Sequence, residues 1–157
     1  MNEYRITKYD PRNRDSSGAY LLLDEWTSYS DVGRSVSLKE YLATEERYIA
    51  TAVEFLREAG VETLEARTVE NHRRAVAAPV EGALLGPAEW PRAFRSVLRE
   101  EWWCRFESDA GFVHFGWDYH MYVGVRSRAP EGQAVALKYG LFVEPFTSPY
   151  HPEVEDD

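Results

Sequence analysis

The stretch from Trp102 to Val125 constrains the fold more than any other part of the chain. Residues 102–107 alternate in character, with Trp102, Cys104 and Phe106 set to share one side, and residues 112–115 and 119–125 are short apolar runs bounded by turn residues. Both patterns are those of β-strands. Only Ser108-Asp109-Ala110-Gly111 and Gly116-Trp117-Asp118 separate them. A parallel pair needs a crossover of roughly a dozen residues or more, so strands joined this tightly are antiparallel neighbours.

The rest of the chain adds helices to that sheet. Residues 4–9 read as a strand ended by Asp10-Pro11, residues 11–18 as a polar loop, residues 19–23 as a second short strand and residues 24–33 as an aromatic, acidic loop. The spacing predicts a helix over 38–59. Ser37 and Glu40 form the S-x-x-E pattern of a capping box, and Leu38, Tyr41, Leu42, Ile49, Ala52, Val53 and Leu56 recur at steps of three and four on one face. Gly60 is the expected stop.

A strand is expected over 61–68, and residues 69–86 are broken up by Pro79, Gly82 and Gly86. A second helix should begin near Glu89, with Pro91 in its first turn, and end near Glu100 or Glu101. It would carry Trp90, Phe94, Val97 and Leu98 on one face and Arg92, Arg95 and Arg99 on the other. Residues 126–133, with Pro130 and Gly132, read as a loop, and a last strand falls within 134–146, centred on 141–143. The expected class is α+β, a mostly antiparallel sheet with two main helices packed on it. Residues 1–150 form a single domain and residues 151–157 an acidic flexible tail.

Charge and cysteine usage narrow the function. The net charge of the 157 residues is −9. Ten acids face four bases between Asp24 and Glu65, and residues 144–157 hold five acids and no base. Such a surface repels nucleic-acid phosphate and anionic membrane and attracts a basic partner. The single cysteine, Cys104, excludes an internal disulfide and suits a reducing compartment. The N-terminus shows no secretory h-region and no window approaches 18 apolar residues. The expected location is cytoplasmic.

Four groups of residues could carry chemistry. His114, Asp118 and His120 are metal-ligand types, but Gly116-Trp117-Asp118 interrupts the strand that would align them, so no metal and no cofactor are expected. Cys104 could be a nucleophile with His72, His114 or His120 as base, yet it falls on the buried side of its strand and reads as a core residue. The Arg92, Arg95, Arg99 stripe could hold phosphate, but Glu89, Glu100 and Glu101 lie beside it. No G-x-S-x-G and no phosphate-cradling glycine loop occurs, so no catalytic residue is assigned.

The fourth group is Asp24, Glu25, Trp26, Tyr29 and Asp31 together with Trp117, Asp118 and Tyr119. Aromatic anchors ringed by carboxylates are what a contact site for a basic protein needs. These eight residues are the candidate partner-binding set, provided that the two loops meet. The bland alternative is that Trp26 and Trp117 plug the ends of the core while the acids cap turns.

The segments Glu3-Tyr4-Arg5-Ile6-Thr7-Lys8-Tyr9-Asp10-Pro11, Asp24-Glu25-Trp26-Thr27-Ser28, Phe112-Val113-His114-Phe115-Gly116-Trp117-Asp118-Tyr119 and Gly140-Leu141-Phe142-Val143-Glu144 resemble a family of small uncharacterised bacterial proteins. The resemblance implies a bacterial, cytosolic, single-domain protein and brings no activity with it. The functional expectation is a non-enzymatic protein-binding module, an immunity or antitoxin-type protein that neutralises a basic toxin. The alternative is a small enzyme or ligand-binding protein with a pocket near Trp26, His114, Asp118 and His120.

Overall fold

Among the described residues, seven antiparallel strands form one sheet whose order differs from the order of the chain. The computed structural model describes residues 1–19, 21 and 25–153. The strand expected over 19–23 falls mostly outside those residues, as do Asp24 and the last four residues of the tail. The strands are β1 (Asn2–Thr7), β2 (Leu64–Glu70), β3 (Leu84–Leu85), β4 (Trp103–Glu107), β5 (Gly111–Phe115), β6 (Met121–Val125) and β7 (Phe142–Pro145). Their order is β3-β2-β4-β5-β6-β1-β7, and every pairing is antiparallel.

The tightly linked β4, β5 and β6 are neighbours, as their short turns require. Ser108 closes the first turn, its Oγ donating to the Gly111 carbonyl at 2.8 Å. The N-terminal strand β1 enters between β6 and β7, pairing Ile6 with Met121 on one side and with Val143 on the other.

Helix α1 (Leu38–Glu58) starts where the cap predicts, with Ser37 Oγ accepting the Glu40 N–H at 3.1 Å. Gly60 ends it in the left-handed region, φ +72°. Its buried face matches the expected one at Tyr41, Ile49, Ala52 and Leu56 and differs at the other positions. Leu38 and Leu42 are 53% and 41% exposed, whereas Tyr41, Tyr48 and Phe55 are wholly buried. These three rings are seven residues apart, two helical turns each, and form a stripe of larger apolar area than the leucines offer. The helix turns that stripe inward.

Helix α2 (Trp90–Leu98) buries Trp90, Phe94, Val97 and Leu98 as the periodicity indicates. A third helix, α3 (Pro130–Lys138), replaces the loop expected at 126–133 and the start of the segment assigned to the last strand. The two expected helices are present, and α3 adds a third. Pro130 stands in the first turn, where its missing N–H costs nothing. The N–H groups of Glu131 and Gly132 donate to the Glu58 carboxylate at 3.1 and 2.9 Å, so a side chain of α1 caps α3. Gly132 is there because α3 crosses α1 closely: a Cβ at this position would meet the Phe55 ring at 2.5 Å. Proline and glycine read locally as loop signals; the tertiary contact gives each a helical role.

The three helices pack on one face of the sheet. Tyr4, Ile6, Phe106, Val113, Phe115 and Val123 point to that side and join the core. Tyr4 meets Phe55 of α1, and Phe94 of α2 meets Phe106 and Phe115, with ring centres 5.0–5.8 Å apart. The other face carries Glu3, Arg5, Trp103, Arg105, Phe112 and His114. After β7 the chain turns back over this second face. The Phe146 N–H donates to the Glu3 carbonyl at 3.1 Å, and Arg5 lies over the Phe146 ring at 4.0 Å. His151 docks there as well, its Nε2 2.6 Å from Glu3 Oε1.

Candidate binding cleft

The two candidate loops meet. The Tyr9 hydroxyl, just beyond β1, donates to the Asp118 carbonyl at 2.6 Å and lies 3.4 Å from the Trp26 carbonyl. Trp26 packs edge-on against Tyr119, with ring centres 5.0 Å apart, and against Tyr41 at 5.4 Å. Below them the hydroxyl of Tyr119 donates to that of Tyr41 at 2.6 Å, and the Tyr48 hydroxyl donates to the Tyr119 carbonyl at 2.9 Å. Burial pushes the Tyr41 and Tyr119 phenols far above the ordinary tyrosine range, so both stay protonated hydrogen-bond donors.

This aromatic cluster divides the candidate set. Trp26 and Tyr119 are core residues, 6% and 4% exposed. Tyr29 is half-buried against Tyr41, and Arg99 lies 5.1 Å above its ring. Asp31 accepts the N–H groups of Thr27 and Ser28 at 2.8 and 3.2 Å and so holds its own turn. Glu25 pairs with Lys8 at 2.8 Å. These residues shape the loop. Among the described members of the set, Trp117 projects furthest into solvent, 77% exposed, and Glu25 and Asp118 are exposed as well.

Trp117, Asp118 and Tyr119 form one wall of a cleft of about 750 Å³ at the end of the sheet where β5 passes into β6. Thr27 and Ser28 contribute from the facing loop, Trp102 and Trp103 from the start of β4, and Tyr150 from the returning C-terminal segment. Trp103 is fixed by its indole N–H, which donates to the Phe115 carbonyl at 2.8 Å, and its ring meets that of Tyr150 at 5.6 Å. Trp102 is 5% exposed, and its Nε1 has no hydrogen-bond partner among the described residues. Glu70, Glu100, Glu101 and Asp118 supply carboxylates; Arg73 and Arg105 supply the cations. Arg105 is engaged by Glu107 at 2.9 Å and by the Thr68 hydroxyl at 3.0 Å.

Backbone strain gathers around this cleft. Of six described non-glycine residues with positive φ, Thr68 (55°), Glu100 (59°), Asp118 (58°) and Tyr119 (62°) line the cleft. A left-handed conformation costs an L-residue on the order of 1–2 kcal/mol, and most for a β-branched one such as threonine. Each is held by its surroundings. The Glu81 carboxylate accepts the N–H groups of Thr68 and Val69 at 2.9 and 2.8 Å, where the β2–β4 register slips between Arg67 and Glu70. The Glu100 N–H closes the end of α2 onto the Val97 carbonyl at 3.0 Å. Tyr9 holds Asp118. Strained positions and bulges gather at functional sites more often than elsewhere.

The alternative constellation of Trp26, His114, Asp118 and His120 is not assembled. Only Asp118 lines the cleft. His120 packs at a tilt against Tyr9, with ring centres 5.5 Å apart, and its Nδ1 meets the Trp117 carbonyl at 3.0 Å. His114 is on the second face of the sheet, wholly buried. Its Nδ1 is 2.6 Å from Ser148 Oγ and its Nε2 2.7 Å from Glu107 Oε1.

Serine, histidine and carboxylate are the members of a nucleophilic triad, but Ser148 is 4% exposed and its Oγ also accepts the Tyr150 N–H at 3.2 Å. The group fastens the returning segment to the sheet. Burial holds the His114 ring below its ordinary basicity despite Glu107. Burial opposes the charge of Glu107, yet His114 and Arg105 keep its carboxyl below the usual range.

Cys104 is wholly buried, and burial pushes its thiol up to about 12. Of the arginine stripe, Arg99 grips the buried Glu45 with two bonds of 2.9 Å and Arg95 approaches Glu45 and Glu46 at 3.3 and 3.4 Å. Both bind α2 to α1. Among the described residues no three His, Cys, Asp or Glu side chains gather as a metal site would need, and no helix is long and apolar enough to cross a membrane.

Glu100-Glu101-Trp102-Trp103 build a part of the cleft that falls outside the eight candidate residues. The doubled acids and doubled tryptophans were the available signal, placed at the junction of a helix and a strand. The chain matches no protein-family model, no curated protein and no solved structure.

Proposed function

We propose that this chain is a non-enzymatic protein-binding module, a bacterial, cytoplasmic immunity or antitoxin-type protein that neutralises a basic toxin by receiving it at the Trp117 cleft. One observation carries the proposal: an exposed tryptophan stands on a rigidly held turn at the mouth of an aromatic cleft with four carboxylates. An exposed ring is costly in water unless a partner covers it, and tryptophan is the residue most enriched among those that dominate interface energy. The net charge of −9 adds long-range attraction for a basic protein and disfavours nucleic acid.

The test is affinity for the basic protein encoded next to this gene. The wild-type chain should form a stoichiometric complex, and Trp117→Ala should weaken it by roughly 30-fold or more, as for a central tryptophan of an interface. Unchanged affinity in the variant would sink the proposal, as would the lack of any complex. The cleft volume supports a second reading, a small-ligand site, because 750 Å³ lies in the range of such pockets.

A further inference from the structure

We propose that the cleft is a receptor for an arginine side chain presented on a peptide segment of the protein partner, a proposal that rests on the protein-binding reading above. The charge around the cleft is the first reason. Four carboxylates, on Glu70, Glu100, Glu101 and Asp118, face two guanidinium groups, on Arg73 and Arg105, with His72 also present. Glu107 already neutralises Arg105 at 2.9 Å, which leaves the cleft with an excess of negative charge.

The carboxylates come from three places: the end of β2, the end of α2 and the β5–β6 link. A compact ammonium can approach one such group at a time. A planar guanidinium has five donors in a fixed fork and can bond more than one acceptor.

The aromatic lining is the second reason. Trp102, Trp103, Trp117 and Tyr150 give the cleft indole and phenol surfaces, and a guanidinium stacks on such faces while its edge keeps its hydrogen bonds. The third is the unsatisfied indole. Trp102 is 5% exposed and its Nε1 has no hydrogen-bond partner among the described residues; a buried donor left unmet is a cost that an acceptor on a ligand relieves. Trp102 stands between this cleft and a groove beside α2. A bare cation carries no acceptor for it, whereas an arginine within a peptide brings backbone carbonyls. The volume of about 750 Å³ has room for more than one side chain.

The experiment follows the indole N–H resonances of the ¹⁵N-tryptophan-labelled full chain, assigned with Trp102→Phe and Trp117→Phe. The probes are the acetylated, amidated tripeptide Gly-Arg-Gly, its lysine and citrulline counterparts, and N-acetyl-arginine amide. The arginine tripeptide should shift the Trp102 and Trp117 signals saturably. The lysine peptide should bind at least about fivefold more weakly, and the neutral citrulline peptide more weakly still. Glu100→Gln with Glu101→Gln, both on exposed side chains, should weaken the arginine peptide by roughly fivefold.

Citrulline binding as well as arginine, or indifference to the two Gln changes, overturns the proposal. N-acetyl-arginine amide binding as tightly as the tripeptide would assign the cleft to a free guanidinium compound and overturn the peptide source. If no peptide binds while the toxin complex forms and still depends on Trp117, this inference falls and the protein-binding reading stands. If no toxin complex forms, the reading falls with it.

Discussion

The Tyr9 hydroxyl donates to the Asp118 carbonyl at 2.6 Å, joining the exit of the first strand to a turn more than a hundred residues later. Asp118 and Tyr119 are both left-handed, φ 58° and 62°, and this bond helps to hold a turn that would otherwise relax. Tyr9→Phe removes it without altering the ring. The variant should lose about 1 kcal/mol of stability, the net worth of one hydrogen bond, measured from its denaturation midpoint. Its Trp117 indole resonance should broaden or move, because the turn is freed. An unchanged spectrum would show that the aromatic cluster alone fixes the loop.

Acid should loosen the molecule at mildly acidic pH. Burial lowers the pKa of His114 and His120 below the ordinary 6.5. The unfolded chain therefore binds more protons than the folded one in the window just below that value, and stability falls as pH drops through it. Glu107 and Glu144 are depressed carboxylates, so their contributions are lost at lower pH still, near and below the ordinary 4.5. Thermal midpoints recorded between pH 8 and 5 should decline toward acid. His114→Phe should flatten that decline while costing about 2–3 kcal/mol at neutral pH, since Ser148 and Glu107 lose their partner. A decline as steep in the variant as in the wild type would exclude His114 as its source.

The ion pair of α1 with α2 separates two glutamates adjacent in sequence. Glu45 is 1% exposed and takes two 2.9 Å bonds from Arg99, whereas Glu46 is exposed with one contact at 3.4 Å. Glu45→Gln leaves charged arginine without its counterion and should cost roughly 3 kcal/mol; Glu46→Gln should leave stability nearly unchanged. Urea unfolding of both variants decides it, and equal midpoints would refute the distinction.

Helix propensity and packing make opposite forecasts for Gly132. Alanine is the better helix former by about 1 kcal/mol, yet its Cβ would come within 2.5 Å of the Phe55 ring. Overpacking of this kind typically costs about 1–3 kcal/mol. Gly132→Ala should therefore destabilise the chain, and adding Phe55→Leu should recover part of the loss. A more stable Gly132→Ala would mean that α3 can move away from α1.

Local sequence determined the elements whose signals are local. Ser37 and Gly60 bounded α1, Pro91 opened α2, and the short links at 108–111 and 116–118 made β4, β5 and β6 antiparallel neighbours, because capping, turn chemistry and link length act within a few residues. The loop at 24–31 and the turn at 116–118 were also legible as aromatic and acidic.

Tertiary structure decided the rest. It turned Tyr48 and Phe55 inward beside Tyr41 and left Leu38 and Leu42 exposed, since ring area counts only once there is a core to fill. It made Pro130 and Gly132 parts of a helix through Glu58 and Phe55. It divided the candidate set, taking Trp26 and Tyr119 into the core and leaving Trp117 outside. It also completed the cleft with Trp102, Glu100 and Tyr150, residues that no sequence spacing links to Trp117. Those relationships depend on contacts between segments tens of residues apart, and only the packed sheet and helices bring such segments together.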